Sequence, residues 1–222
     1  MGWTFMHRPR GISDRAWFER EGCFTWSHDT RNRRVVDTAT VNRTVFHAVL
    51  EMDAEADGTM IPDANGRVRI AFVFLLKWVP SDHHNFGYKD LDEFMGPCEA
   101  VCPERLLDQL TPFKPEAIAA AEAAYAAELA AVEAGTLPYA SRSTLLHAHD
   151  WRQRCRRLIE VRKATRQPGT KLKLINPLRF SDGVTATELT VGELDRNQPT
   201  FRRQDGIRVR ISRSEYGLFT LA

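Results

Sequence analysis

The run Val68 to Trp78, VRIAFVFLLKW, can be accommodated in few ways. Val68, Ile70, Phe72, Phe74, Leu76 and Trp78 alternate onto one face of a strand, and Ala71, Val73 and Leu75 make the middle of the other face apolar as well. A strand that is apolar on both sides has to be covered on both, so it is expected at the centre of a sheet. Asn65-Gly66 precedes it, a turn signal because both residues tolerate positive φ. Upstream, Val35 to Val41 and Thr44 to Met52 are rich in β-branched and aromatic residues and read as strands. An antiparallel sheet with at least one packed helix follows, an α+β arrangement.

Around this centre the chain divides by pattern. Trp3 and Phe5 alternate with Thr4 and Met6, a short edge strand, and Ser13 caps a short helix running to Glu21 with Ala16, Trp17 and Phe18 on its apolar side. In Asn85 to Leu110, Gly87 and Gly96-Pro97 bracket Tyr88 to Glu93, which predicts a tight, ordered loop; Pro103 then opens a helix at its first position, with Leu106, Leu107 and Leu110 at helical spacing. Residues 115–134 are dominated by Ala and Glu and end at Gly135, a helix with a glycine stop. A second helix is expected from Ser143 to Arg166, with Leu145, Trp151, Cys155, Leu158 and Ile159 inward and Arg152, Arg156 and Arg157 outward, joined to the first as an antiparallel pair by TLPYASRS. After the Gln167-Pro-Gly hinge the period becomes two: Leu172 and Leu174 alternate with lysines, Leu189 and Val191 recur, and FRRQDGIRVRI forms a hairpin around Asp205-Gly206 with Ile207, Val209 and Ile211 inward. The expected organisation is an α+β domain over 1–112, a helical hairpin over 113–168, and over 169–222 a small SH3-like or OB-like barrel or added sheet.

With 222 residues and 43% hydrophobic content, one good core and a small second one can be buried. No apolar run approaches the roughly 20 residues of a membrane-spanning helix. MGWTFMHRPRG has no apolar signal region, and Met6 stands where myristoylation needs Ser or Thr, so a cytoplasmic location away from membranes is expected. Four cysteines then read as reduced thiols.

The net charge of +2 conceals a segregation. Residues 1–149 hold 15 Lys and Arg against 21 Asp and Glu, while residues 150–222 hold 16 against 8. A basic field of that size steers encounters with nucleic acid or an acidic protein surface. The other reading is that the two parts attract each other or carry solvated charge. Arg152, Arg154, Arg156, Arg157, Arg162 and Lys163 on the helix are candidates for phosphate contact, as are Arg202, Arg203, Arg208 and Arg210 on the strands, with Phe201 as a stacking platform. Against them stands the plain role of long basic side chains in covering helix and sheet surfaces.

Other chemistries are less well supplied. Cys98 and Cys102 with His83, His84, His147, His149 and Cys155 offer soft ligands, yet His147 and His149 are spaced i, i+2 and do not share a helix face, so no zinc or other cofactor is expected. Tyr88, Lys89, Asp90 and Asp92 make a recognition surface, or with Glu93 the acidic half of a small hydrolase site whose other half is not marked out. No phosphate-binding Gly-rich loop, G-x-S-x-G or H-E-x-x-H occurs, so no catalytic residue is assigned.

MGWTF, NFGYKDLDEFMGP, CPERLLDQLTP and WRQRC together resemble a family of uncharacterised proteins carried on bacterial plasmids and phages, a likeness over most of the N-terminal two thirds. The resemblance implies an accessory role in mobile-element defence, in an anti-restriction or anti-CRISPR setting, with the Ala-rich helix an insertion. The expected function is non-catalytic binding of nucleic acid or of a host defence nucleoprotein through the basic C-terminal part. The alternative is a small enzyme using the acidic, aromatic loop 85–93. Neither pattern nor charge fixes an oligomeric state.

Overall fold

The computed structural model describes residues 4–7, 11–13, 15–16, 33–42, 44–55, 58–78, 85–94 and 100–221, with the backbone alone for 4–7, 74–78 and 85–92. The chain gathers into two compact units, Met1–Arg152 and Gln153–Ala222, where three segments were expected. Each carries a five-stranded antiparallel sheet. Helices with two separate antiparallel sheets make the protein α+β.

In the first unit the strands are β1 (Thr4–His7), β2 (Arg34–Val41), β3 (Val45–Asp53), β4 (Arg67–Trp78) and β5 (Asn85–Asp92), in the order β1-β5-β4-β3-β2. The doubly apolar run is indeed the middle strand. The Asn65-Gly66 turn also forms: Gly66 has φ +72°, and the Asp63 side chain accepts the Asn65 and Arg67 N–H groups, each at 2.9 Å. Of the expected N-terminal helix, Ser13 Oγ accepts the Ala16 N–H at 3.1 Å as a cap, and residues 17–21 lie outside the described residues.

Asn85 to Asp92 is a strand and not a loop. β5 pairs with β4 (Tyr88 opposite Leu76, Asp90 opposite Phe74) and with β1 (Tyr88 opposite Thr4). The glycine and charged residues of this stretch suggested a turn, but pairing with β4 along Phe86–Asp92, and with β1 along Asn85–Tyr88, outweighs local propensity. Where β5 ends, Glu93 takes over the ladder. Its N–H donates to the Ala71 carbonyl, and its carboxylate accepts the Ala71 N–H at 2.9 Å.

Alternation divides the first sheet into two faces. One carries Phe46, Ala48, Leu50, Met52, Val68, Ile70 and Phe72, the main core, with Ile12, Val35, Met60 and Phe94 packed against it. The other carries His47, Val49, Glu51, Ala71 and Val73, all buried. The short helix α1 (Glu104–Leu107) serves this second face: Leu106 and Leu107 are buried, and Arg105 and Gln109 both donate to Asp37 of β2. Pro103 is the residue before the helix and not its first position. Burial raises the Asp37 carboxyl, but the bonds from Gln109, the Thr38 N–H and Arg105 outweigh it and bring the carboxyl below its ordinary range. Glu51 behaves alike, burial being overcome by Arg69 and Arg34, which donate at 2.9 and 2.7 Å.

His47 has no such compensation. It is 1% exposed, neither ring nitrogen has a hydrogen-bond partner among the described residues, and burial pushes its pKa down to about 4. The unfolded chain therefore takes up this proton first, so stability falls as pH drops below the ordinary histidine value, by about 2 kcal/mol at pH 5 relative to pH 7. Denaturant titrations at the two pH values check this. His47→Leu is expected to flatten the difference, and an unchanged difference would contradict the assignment.

Helix α2 (Pro115–Glu133) ends at Ala134 with Gly135 at φ +72°, as its composition predicts, and buries none of its residues. The segment after it turns back along the helix: the Ser141 N–H donates to Glu128 at 2.7 Å and Arg142 lies over the Tyr125 ring at 5.1 Å. Helix α3 (Thr144–Ala164) buries Leu145, Leu146, Ala148, Trp151, Cys155, Leu158 and Val161. Arg152, expected outward, is buried as well.

The second unit holds β6 (Lys171–Arg179), β7 (Thr185–Val191), β8 (Phe201–Arg202), β9 (Arg208–Val209) and β10 (Phe219–Leu221), in the order β10-β6-β7-β8-β9. This is an open sheet and not a closed barrel, with β9 and β10 as its edges. Its inner face buries Leu172, Leu189, Val191, Phe201 and Phe219. Phe201 stacks on Phe219 at 5.7 Å, and Tyr216, on a 3-10 turn over Arg213–Leu218, meets both edge-on. Gly206, at φ +83°, turns the β8–β9 hairpin. Ile207, expected inward, is 51% exposed, because the hairpin is too short to carry its alternation through the turn.

Candidate nucleic-acid interface

The basic residues that suggested nucleic-acid contact separate into three kinds. Arg152 faces inward in the first unit, where Nε and Nη2 donate to the two Glu93 oxygens at 2.6 and 2.7 Å and Nη1 to the Thr111 carbonyl at 2.5 Å. Its guanidinium carbon lies 4.1 Å from the centre of the Phe113 ring. All of its charge is spent on closing the sheet edge that Glu93 caps, so it is corrected to a structural residue. Arg203 is buried too, donating to Asp205 and Asp182 at 2.6 and 2.7 Å and lying over Phe180. Hydrogen bonds from this one guanidinium hold both carboxyls below their usual range. Phe201 is fully buried, so no base can stack on it. Sequence alternation missed the two arginines because a charged residue inside a core looks the same in sequence as one outside it.

The second kind lies on α3. Arg154 is half-buried, while Arg156, Arg157, Arg162 and Lys163 are exposed. At about 100° per residue, Arg156, Arg157 and Lys163 share the outer side of the helix, and Arg162 falls more than about 90° away from each of them. Glu160 sits on that outer side and pairs with Lys163 at 3.1 Å. These residues form a mixed, solvated helix surface.

The third kind forms an array on the outer face of the second sheet. Strand register places Lys171 opposite Thr190, Thr190 opposite Arg202, and Arg202 opposite Arg208. A single row across β6, β7, β8 and β9 thus presents three basic side chains, neighbouring positions about 5 Å apart. Lys173, one pleat further on β6, lies on the same face opposite Glu188. Like charges directly opposite each other destabilise a sheet. The row is only lightly compensated: Lys171 approaches Glu188 at 3.6 Å, Arg208 reaches Asp195 at 3.3 Å, and Arg202 has no acidic partner among the described residues. Lys171 was not singled out from sequence; its signal was the leucine and lysine alternation of β6.

Asp195 is the hub at the end of the row. Its carboxylate accepts from Arg208 at 3.3 Å and from Arg210 at 3.1 Å, and Arg210's side chain is 83% exposed. Pairs this open are worth at most about 1 kcal/mol and are easily exchanged for an anionic ligand. A depression of about 280 Å³ contains Asp195, Thr200, Arg202 and Arg208, and a cavity of about 390 Å³ next to it shares Asp195 and Thr200.

The remaining candidates are not brought into this site. Tyr88, Lys89, Asp90 and Asp92 stand on β5, and their side chains lie outside the described residues. Cys98, His83 and His84 also fall outside them, Cys102 and Cys155 are buried, and no cluster of three metal-ligating side chains occurs among the described residues. Among those residues no helix is long and apolar enough to cross a membrane.

No curated protein and no solved structure matches the chain. Residues 143–214, from the start of α3 to the strands that carry the basic row, match the family model of a domain of unknown function, DUF6927.

Proposed function

We propose that the protein binds nucleic acid without catalysis, through the outer face of its C-terminal sheet. The observation that carries this reading is the register that aligns Lys171, Arg202 and Arg208 in one exposed row. Three such side chains neutralise about three phosphates, and the affinity they supply is electrostatic and largely independent of sequence. Release of Arg208 and Arg210 from the shared Asp195 adds cationic groups when an anion arrives. The match to the domain of unknown function spans β6 to β9, the strands on which the row lies. The resemblance to plasmid- and phage-borne proteins supports a setting in which the nucleic acid belongs to a host defence nucleoprotein, so that occupancy by this protein interferes with that complex. The alternative, a small hydrolase, would use the stretch 85–93, of which Asn85–Asp92 is the strand β5.

Gel-shift titrations with single-stranded DNA, duplex DNA and RNA at low and moderate salt test the proposal. Retardation at low salt that fades as salt rises is expected, and no retardation of any of the three at low salt would refute it.

A further inference from the structure

The connection from β7 to β8 contains a backbone choice with a cost. Asp195 and Gln198 close it with two bonds, N–H to carbonyl at 2.8 and 2.9 Å, leaving Arg196 and Asn197 as the two turn residues at φ 49° and 62°. Two positive φ values in succession are the pattern of a hairpin turn that favours Asn-Gly. Arginine in the first of these places is strained, and strain at an exposed turn points to use of the side chain. Arg196 lines the 390 Å³ cavity, together with Gln198, Arg210, Ile211 and Tyr216.

We propose that this cavity holds one nucleobase of a single-stranded nucleic acid whose phosphates lie on the Lys171, Arg202, Arg208 row; the inference rests on the nucleic-acid reading above. The two features are continuous, because the cavity and the depression beside it share Asp195 and Thr200. The volume falls in the range of about 300–1,000 Å³ typical of small-ligand clefts. The lining is mainly polar: two guanidiniums, one of them paired with Asp195, offer planar surfaces for stacking, the Gln198 amide supplies a donor and an acceptor for a base edge, and Ile211 adds an apolar contact. A paired base in a duplex stays in its stack and does not reach the cavity unless it is flipped out at a cost. Preference for single strands follows.

The test uses the full-length protein and fluorescence anisotropy with three labelled probes: an oligodeoxythymidine, an abasic oligonucleotide with the same number of phosphates, and a duplex. The base-bearing strand is expected to bind roughly tenfold more tightly than the abasic one. Gln198→Ala is expected to close that gap. Arg196→Asn is expected to weaken oligodeoxythymidine binding while raising the melting temperature by about 2 °C, because asparagine accepts the turn conformation. Equal affinities for the base-bearing and abasic strands overturn the base site and leave the phosphate row standing. Absence of binding to every probe at low salt overturns both. An Arg196→Asn variant that loses stability as well as affinity makes Arg196 a structural residue and removes it from the site.

Discussion

Arg152→Ala is expected to destabilise the protein by about 3–5 kcal/mol, seen as a fall of roughly 10 °C in melting temperature. The substitution leaves the Glu93 carboxylate, 0% exposed, with no counter-charge among the described residues, and removes the donor to Thr111 and the cation over Phe113. Breaking a buried pair costs more than the pair contributes, because the stranded charge pays its full desolvation. Glu93→Gln is the informative companion. It keeps an acceptor for the Ala71 N–H while losing the ionic partner of Arg152. The double variant should lose less than the sum of the two single ones, the signature of direct coupling. A loss below about 1 kcal/mol for Arg152→Ala would show that Arg152 does not fasten the sheet edge.

Charge reversal on the sheet should have the opposite profile. Arg202→Glu with Arg208→Glu is expected to weaken oligonucleotide binding by about 100-fold or more at low salt, since two attractive phosphate contacts become repulsive. Both residues are exposed, so unfolding free energy should change by no more than about 0.5 kcal/mol. Anisotropy and denaturant titrations on the same preparations check both halves. Binding that survives the double reversal would move the interface elsewhere.

The contrast between Arg152 and Arg202 shows what could be read from the amino-acid order. Element types were legible wherever a period was long: β4 from its doubly apolar alternation, α2 from alanine and its glycine stop, the C-terminal hairpin from Asp205-Gly206. Asn85 to Asp92 was not, because its strand character comes from pairing with β4, and over Asn85–Tyr88 with β1, and not from its own composition. Burial of Arg152 and Arg203 was equally hidden, since it depends on Glu93, Asp182 and Asp205, which reach them only in the folded chain. Lys171 and Arg208 lie 37 positions apart in sequence, and only cross-strand register brings them into one row with Arg202. What sequence did locate was the region: the excess of basic residues after position 150 contains the row.

The most direct measurement is the salt dependence of single-stranded DNA binding by the wild-type protein. Three phosphate contacts predict that log Kobs falls linearly with log salt concentration with a slope of about −2, and that the Arg202→Glu, Arg208→Glu protein loses most of that slope along with its affinity. A slope near zero, or no detectable binding at low salt, would contradict the assignment of the C-terminal sheet as a nucleic-acid interface.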